Sequence, residues 1–125
     1  MALQVRHELK YYINQSHYQV LARMLRAILD RDSHADERGE YHIRSLYFDT
    51  VFDDALHEKI AGTQNRNKYR IRIYNCSDSF IRMECKSKYD NYIAKRQAVI
   101  SRDLCEQLMT GDPSGLENTS SGLLR

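Results

Sequence analysis

The sequence has no tryptophan, one proline, five glycines and three cysteines among its 125 residues. Cys76, Cys85 and Cys105 are odd in number and widely spaced, which argues against a disulfide framework and against a structural zinc site. We expect each to be a reduced thiol that packs as a small hydrophobic side chain. No apolar run approaches the roughly 20 residues of a membrane-spanning helix. The N-terminus lacks a secretory signal pattern, so the expected compartment is cytoplasmic.

Several well-known catalytic motifs are also missing. The chain has no glycine-rich phosphate loop, no G-x-S-x-G nucleophile turn and no H-E-x-x-H zinc motif. Hydrophobic residues make up 42% and charged residues 29%, as in ordinary soluble proteins. The length fits one domain. The function must therefore be inferred from the arrangement of charged and polar side chains along the predicted strands and helices.

The net charge of +2 hides a strong asymmetry along the chain. Residues 64–96 contain nine basic and three acidic residues, a net charge of +6, which leaves −4 for the rest. Concentrated cations repel one another unless an anion binds among them. The basic segment is therefore a candidate anion-binding region.

Hydrophobic periodicity predicts five strands, at 5–13, 41–49, 68–74, 80–88 and 92–100. Helices are predicted at 17–29 and 52–60, and Ser101 is expected to cap a last short helix through Met109. Ser16 and Gln19 resemble a capping box for the first helix. The stretch 30–40 reads as a loop, and the tail from Ser114 is expected to be mobile. The predicted fold class is α+β, with an antiparallel sheet and flanking helices.

The strand at 68–74 places Lys68, Arg70 and Arg72 on one face. Side chains on one face repeat every ~6.5 to 7 Å, so these residues form a line of cations that suits a linear polyanion. The arginine fork donates paired hydrogen bonds to phosphate, and lysine adds a compact charge. The next strand continues the pattern with Arg82, Glu84, Lys86 and Lys88.

A simpler explanation is that these faces only meet water on a half-exposed sheet. That explanation weakens when neighbouring strands all carry cations, because like charges directly opposite each other destabilise a sheet. Glu8 and Glu84 lie among the cations. They can orient the basic side chains as salt-bridge partners or ligate a divalent metal through hard oxygen donors.

Five segments, in order and spacing, resemble the vacuolar transporter chaperone (VTC) domain of the triphosphate tunnel metalloenzyme (CYTH-like) superfamily. They are Arg6-His-Glu-Leu-Lys-Tyr-Tyr-Ile13, Arg44-Ser-Leu-Tyr-Phe-Asp-Thr50, Lys68-Tyr-Arg-Ile-Arg-Ile-Tyr74, Met83-Glu-Cys-Lys-Ser-Lys88 and Lys95-Arg96. The resemblance implies an antiparallel eight-stranded tunnel barrel that holds a triphosphate or polyphosphate chain with Mn²⁺ or Mg²⁺. In the polymerases of this family, the terminal phosphate of ATP is transferred to a growing polyphosphate chain.

The resemblance, combined with the line of cations, assigns roles to individual residues. The phosphate ligands would be Lys10, Lys68, Arg70, Arg72, Lys86, Lys88, Lys95 and Arg96, with Arg70, Arg72 and Lys86 in the catalytic role. Metal ligands would be Glu8 and Glu84. Tyr47 and Asp49 match the family's Tyr-Phe-Asp strand. Arg6 stands where the superfamily has the first glutamate of an alternating Glu-x-Glu-x-Lys, so metal binding on that strand would rest on Glu8.

The resemblance also implies how the chain is organised. Residues 1–112 would be the N-terminal portion of a polyphosphate polymerase tunnel domain, and 113–125 a flexible tail. Five strands cannot close an eight-stranded barrel. The open sheet edges would favour a homodimer, and a membrane-protein partner fits the family.

Three functions remain open at this point. The first is a polyphosphate polymerase whose partners are ATP and inorganic polyphosphate, with no specific nucleic acid. The second is a triphosphatase of the same superfamily. The third is a non-catalytic module that binds polyphosphate or single-stranded nucleic acid, which the nine tyrosines favour. Against nucleic acid, Tyr69 alternates onto the face opposite Arg70 and Arg72.

Overall fold

The computed structural model describes residues 5–117. It divides into two compact units, a sheet unit made of residues up to Glu8 and from Ile43 onward, and a helical unit, Leu9–His42. Three α-helices are present in the described residues: α1, Gln15–Arg26, α2, Asp54–Ile60, and α3, Arg102–Met109. None of these helices is both long enough and apolar enough to cross a membrane.

Five antiparallel strands form one sheet in the order β1-β5-β4-β3-β2. The strands are β1, Val5–Arg6, β2, Ile43–Phe48, β3, Arg66–Tyr74, β4, Ser77–Tyr89, and β5, Tyr92–Ile100. The predicted antiparallel sheet with flanking helices is confirmed. Within the described part of the chain the sheet is open, with β1 and β2 at its edges, and no eight-stranded tunnel is formed.

Tight turns join the three long strands. Asn75 and Cys76 connect β3 to β4 with φ angles of 51° and 55°, the left-handed geometry that matches the twist of a two-residue hairpin. Asp90, with a φ of 50°, begins the turn from β4 to β5. These short connections fix the register of the three strands and therefore decide which side chains face each other.

The hydrophobic core lies between one face of the sheet and α3. Its buried members are Ile71, Ile81, Met83, Ile100, Leu104, Cys105 and Leu108. Ser101 caps α3 as predicted, since its hydroxyl accepts a hydrogen bond from the Leu104 backbone N–H at 3.2 Å. The free thiols of Cys85 and Cys105 are buried, as expected for small hydrophobic side chains. For Cys76 this prediction is wrong, because the residue lies in the turn between β3 and β4 and is exposed.

Part of the predicted mobile tail packs against α3. Ser114–Leu116 form a 3₁₀ turn, and Leu116 contacts the core. The Gln107 amide donates hydrogen bonds to Asp112 and Ser114 at 2.7 and 2.9 Å. The rest of that tail, residues 118–125, lies outside the described residues.

The predicted first strand is wrong in its length. Of residues 5–13, only Val5 and Arg6 pair with β5, and residues 7–14 carry no regular structure. A strand needs backbone partners, and alternation alone cannot supply them. Leu9, Tyr11 and Ile13 are accordingly more than half exposed, at 74%, 79% and 52%.

The N-terminal cap of α1 also differs from the predicted capping box. Asn14 is the cap, because its side-chain oxygen accepts a hydrogen bond from the His17 backbone N–H at 2.8 Å. Ser16 and Gln19 both lie inside the helix. Asparagine and serine are about equally favourable at the N-cap position, so the pattern of apolar residues does not distinguish Asn14 from Ser16 as the cap.

Candidate functional site

The register of β3, β4 and β5 brings most of the predicted cations to one face of the sheet, opposite the core. We call this side the basic face. It carries Arg66, Lys68, Arg70 and Arg72 from β3, Arg82, Glu84, Lys86 and Lys88 from β4, and Lys95 from β5. Tyr47 and Ser45 of β2 share this face, because they lie opposite Arg70 and Arg72.

Like charges lie directly opposite each other across the basic face. Lys68 pairs with Lys86, and Lys86 pairs in turn with Lys95, so three lysines form one row across three strands. Arg66 faces Lys88, and Arg72 faces Arg82. Such pairs destabilise an antiparallel sheet when nothing neutralises them. A row of three lysines is therefore not expected on a sheet face that contacts only water.

Glu84 lies at the centre of the basic face and is 1% exposed. Its carboxylate accepts a hydrogen bond from Arg70 Nε at 2.6 Å, and Lys95 Nζ lies 2.8 Å from its other oxygen. Burial alone would raise the pKa of Glu84, but the neighbouring charges of Lys95 and Arg70 outweigh burial and hold it below its ordinary value. Glu84 is therefore an ionised anchor for cations from two neighbouring strands.

Tyr47 holds the outer side of the Arg70 side chain. Its hydroxyl accepts a hydrogen bond from Arg70 Nη1 at 2.9 Å. This hydrogen bond lowers the pKa of Tyr47 below its ordinary value, with burial acting against it and the charges of Arg72 and Lys68 acting with it. Arg70 is thus fixed from two sides, and the remaining donors of its planar fork point in a defined direction.

Glu8 anchors a second group of cations. Both of its carboxylate oxygens accept hydrogen bonds from Lys86 Nζ, at 2.8 and 2.9 Å, and Arg6 Nη2 lies 3.8 Å away. The role of Glu8 and Glu84 as salt-bridge partners is therefore visible in the structure. In the described part of the chain, no group of three or more histidine, cysteine, aspartate or glutamate side chains can hold a metal. The present carboxylates do not by themselves fit a metal site, and Mn²⁺ or Mg²⁺ stays a prediction.

The end of the basic face nearest α2 has no such anchor. Within residues 5–117, no carboxylate lies within 4.0 Å of the side-chain nitrogens of Lys59, Lys68 or Lys88. Lys68 is half-buried, and burial lowers its pKa, with the charges of Lys59 and Arg66 adding to the effect. These lysines therefore leave positive charge without an ion-pair partner at this end of the basic face.

One of the predicted phosphate ligands of the sheet unit lies outside the basic face. Arg96 lies on the opposite side, where it faces Cys85, with Nη2 3.9 Å from the sulfur. Lys10 belongs to the helical unit. The other six, Lys68, Arg70, Arg72, Lys86, Lys88 and Lys95, are brought together. The structure therefore favours Lys95 over Arg96 as the cation that β5 contributes.

Asp49 has a structural role next to the site. Its carboxylate accepts hydrogen bonds from the backbone N–H groups of Thr50 and Ala55 at 2.8 Å and of Leu56 at 3.1 Å. The bond from Ala55 is the main reason that the pKa of Asp49 falls below its ordinary value. Asp49 thus holds the start of α2 against the end of β2.

Sequence reasoning missed three contributions to this region. Ser45 accepts a hydrogen bond from Arg72 Nε at 3.1 Å, Tyr47 orients Arg70, and Lys59 of α2 lines a cleft together with Lys68. The alternation of residues along β2 places Ser45 and Tyr47 on one face. The register between β2 and β3, separated by α2, was needed to show which arginine each one meets.

The sequence model of the VTC domain matches residues 5–123. The chain belongs to the VTC domain family. This family is associated with polyphosphate polymerase function. No curated protein and no solved structure matches the chain.

Proposed function

We propose that the basic face of this VTC domain binds linear inorganic polyphosphate and the triphosphate of ATP. The face would be part of a polyphosphate polymerase that transfers the terminal phosphate of ATP to a polyphosphate chain. The observation that carries the proposal is the set of like-charged pairs on adjacent strands, which includes the row of Lys68, Lys86 and Lys95. Glu8 pairs with Lys86 and Glu84 with Lys95, whereas Lys68 and the pairs Arg66–Lys88 and Arg72–Arg82 have no carboxylate within 4.0 Å in residues 5–117. A bound polyanion turns the repulsion that remains into attraction.

The shape of the basic face suits a chain of phosphates better than a single anion. Arg72, Arg70 and Lys68 follow one another along β3, and each step covers ~6.5 to 7 Å. Arg66 and Lys88 extend the line toward α2. A compact anion would contact only one of these cations at a time, whereas a linear phosphate chain can contact each of them along its length.

The preorganised arginine is the centre of the proposed chemistry. Phosphoryl transfer depends mainly on positioning and on neutralising charge that spreads over phosphate oxygens. Arg70 is held by Glu84 and Tyr47, so it requires little reorganisation when phosphate binds. Lys86, anchored by Glu8, supplies a second fixed charge on the adjacent strand.

We also propose that the basic face lines a closed tunnel. Among the described strands, β1 and β2 lie at the edges of the sheet, and further strands would pair there to enclose the basic face. Enclosure would lower the local dielectric and strengthen each contact between a cation and phosphate. A second copy of the chain that paired at these edges would have the same effect.

Calorimetric titration of the purified chain with tripolyphosphate, with and without Mn²⁺, tests the proposal. We expect saturable binding that weakens as salt is added, because the contacts are electrostatic. The mass in solution, recorded in parallel, reports self-association. Absence of binding at low salt would overturn the proposal.

Two controls separate the related functions. Incubation with ATP and Mn²⁺ should yield a growing polyphosphate chain, and release of orthophosphate alone would indicate a triphosphatase. An oligonucleotide is the second competitor, because Tyr47 lies on the basic face beside Arg70 and offers a ring on which a base can stack, whereas Tyr69 lies on the opposite face. Competition by the oligonucleotide as strong as that by tripolyphosphate would favour a nucleic-acid ligand.

A further inference from the structure

We propose that Lys59 of α2 and Lys68 of β3 form an additional phosphate subsite, which holds the part of a polyphosphate chain that extends beyond Arg70. This inference rests on the proposed function and deepens it. It assigns a binding role to a helical residue outside the strands. It also predicts that the protein distinguishes long phosphate chains from short ones.

The two lysines line one cleft of about 390 Å³ at the end of the basic face. The cleft is bounded on the other sides by Tyr47, Phe48, Asp49, Ala55 and Leu56. Its volume lies within the range of about 300 to 1,000 Å³ that is usual for small-molecule sites. Tyr47 belongs both to this cleft and to the Arg70 contact, so the cleft is continuous with the anchored part of the basic face.

The one carboxylate in the cleft is already engaged. Asp49 directs both oxygens at backbone N–H groups, Oδ1 at Thr50 and Ala55 and Oδ2 at Leu56. Neither Lys59 nor Lys68 has a carboxylate within 4.0 Å in the described residues. The cleft therefore presents two ammonium groups without an ion-pair partner and a wall of hydrophobic and aromatic side chains.

A purely structural reason for Lys59 explains only part of this arrangement. Lys59 lies in the last turn of α2, where a cation interacts favourably with the helix dipole. The interaction with the helix dipole requires only that the Lys59 ammonium group be near the end of α2, and it does not require the side chain to enter the cleft. It does not explain why Lys59 shares a cleft with the half-buried Lys68, which repels it. An anion between the two ammonium groups removes this repulsion.

The distance along β3 between Lys68 and Arg72 determines which ligands can reach the cleft. Lys68 precedes Arg72 by four residues, so their Cα atoms are separated by about 13 Å along the strand. A short anion that is bound at Arg70 and Arg72 does not need Lys59. A long chain that continues along the same line reaches the cleft. Lys59 should therefore contribute to the affinity for long polyphosphate and much less to that for tripolyphosphate.

The experiment compares five proteins by calorimetric titration with tripolyphosphate and with long-chain polyphosphate. They are the unchanged chain, Lys59→Ala, Lys59→Arg, Arg44→Ala and Arg72→Ala. Arg44 lies on the opposite face of the sheet, so its substitution is a matched change of one positive charge. We expect Lys59→Ala to weaken long-chain binding by about two- to fivefold, as for one partly screened ionic contact. Lys59→Arg should restore the affinity, and Arg44→Ala should leave it unchanged.

The outcomes separate this subsite from the proposed function. If Lys59→Ala binds long polyphosphate normally while Arg72→Ala binds it weakly, the subsite is refuted and the proposed function stands. If neither substitution weakens binding, both fail. If Lys59→Ala weakens the binding of tripolyphosphate and of long polyphosphate equally, Lys59 does not bind specifically the part of a long chain beyond Arg70, and the subsite is refuted. As an independent measurement, long polyphosphate should protect Lys59 and Lys68 from amine acetylation mapped by mass spectrometry, and unprotected lysines would contradict the subsite.

Discussion

The carboxylate of Glu84 on β4 accepts a hydrogen bond from Arg70 Nε on β3 at 2.6 Å, and it does so while almost entirely buried. A buried carboxylate is retained at low energetic cost only when it is paired and hydrogen-bonded. Lys95 Nζ, 2.8 Å from the other oxygen, completes the pairing from β5. One anion thus fixes cations on both neighbouring strands, and the geometry of the basic face depends on it.

Replacing Glu84 with glutamine should destabilise the protein and change its response to acid. We expect the free energy of unfolding to fall by about 2 to 4 kcal/mol at neutral pH, since two partly buried cations lose their partner. The depressed pKa of Glu84 stabilises the fold above the unfolded value of about 4.3, and this contribution is lost as pH falls through the folded pKa. Denaturant unfolding between neutral and acidic pH measures both effects.

The matched control for this substitution is Glu106→Gln. Glu106 also pairs with an arginine, Arg102, at 2.8 Å, but its side chain is 60% exposed. An exposed pair contributes little, so this variant should remain within about 0.5 kcal/mol of the unchanged chain. If both variants lose equal stability, or if Glu84→Gln keeps the full acid dependence, the central role of Glu84 is wrong.

Arg72→Ala should separate phosphate binding from folding. Arg72 donates to Ser45 and has no carboxylate within 4.0 Å in residues 5–117, so its removal leaves no buried charge unpaired. We expect affinity for tripolyphosphate to fall by about ten- to hundredfold, the range of one charge-assisted hydrogen bond. Stability measured by thermal unfolding should change little. Arg70→Ala, by contrast, should weaken both properties, because Glu84 loses a partner.

Arg96→Ala is the control for Arg72→Ala, because it removes the same charge from the opposite face of β5. Tripolyphosphate affinity should be unchanged in this variant. The result also tests Arg96 itself, which the sequence offered as a phosphate ligand next to Lys95. Loss of affinity on replacing Arg96, with Arg72→Ala unaffected, would mean that the ligand binds the other face.

Most strands of the sheet could be predicted because their side chains alternate strictly. In β3, Tyr69 and Ile71 alternate with Lys68 and Arg70, and this pattern is compatible with only one register relative to the core. The N-terminal strand failed because Leu9 and Tyr11 alternate equally well without a partner strand. Local pattern thus determines which face a residue occupies, and long-range pairing determines whether the strand exists.

The candidate site was predictable to a similar degree. The cations at alternate positions identified the basic face, and Glu84 was recognised as a possible partner for them. The contacts of Tyr47 with Arg70 and of Lys59 with the cleft depend on the register between β2 and β3 and on the path of α2. Neither is encoded in a local sequence pattern. Residues that position a site from another element therefore become visible only in three dimensions.

Tyr47→Phe tests whether the orientation of Arg70 matters for binding. The substitution keeps the ring and removes the hydroxyl that accepts from Arg70 Nη1. We expect tripolyphosphate affinity to fall by about three- to tenfold and stability by about 1 kcal/mol, as for one hydrogen bond. Tyr69→Phe, on the opposite face, should bind normally. A double-mutant cycle with Arg70→Lys should show that the two effects are not additive, and strict additivity would contradict the positioning role.

Lys68→Arg should change how phosphate binding depends on alkaline pH. Burial and the neighbouring cations lower the pKa of Lys68, so it loses its proton at a lower pH than the ordinary lysine value of about 10.4. Without ligand, the unfolded chain keeps that proton longer, so stability should rise with pH across this interval. A phosphate needs the charged form, so its affinity should fall across the same interval. Arginine stays charged throughout, so the Lys68→Arg variant should retain its affinity as pH rises toward 10. Titrations at several alkaline pH values measure the difference, and parallel pH profiles for the two proteins would show that Lys68 does not contact the phosphate.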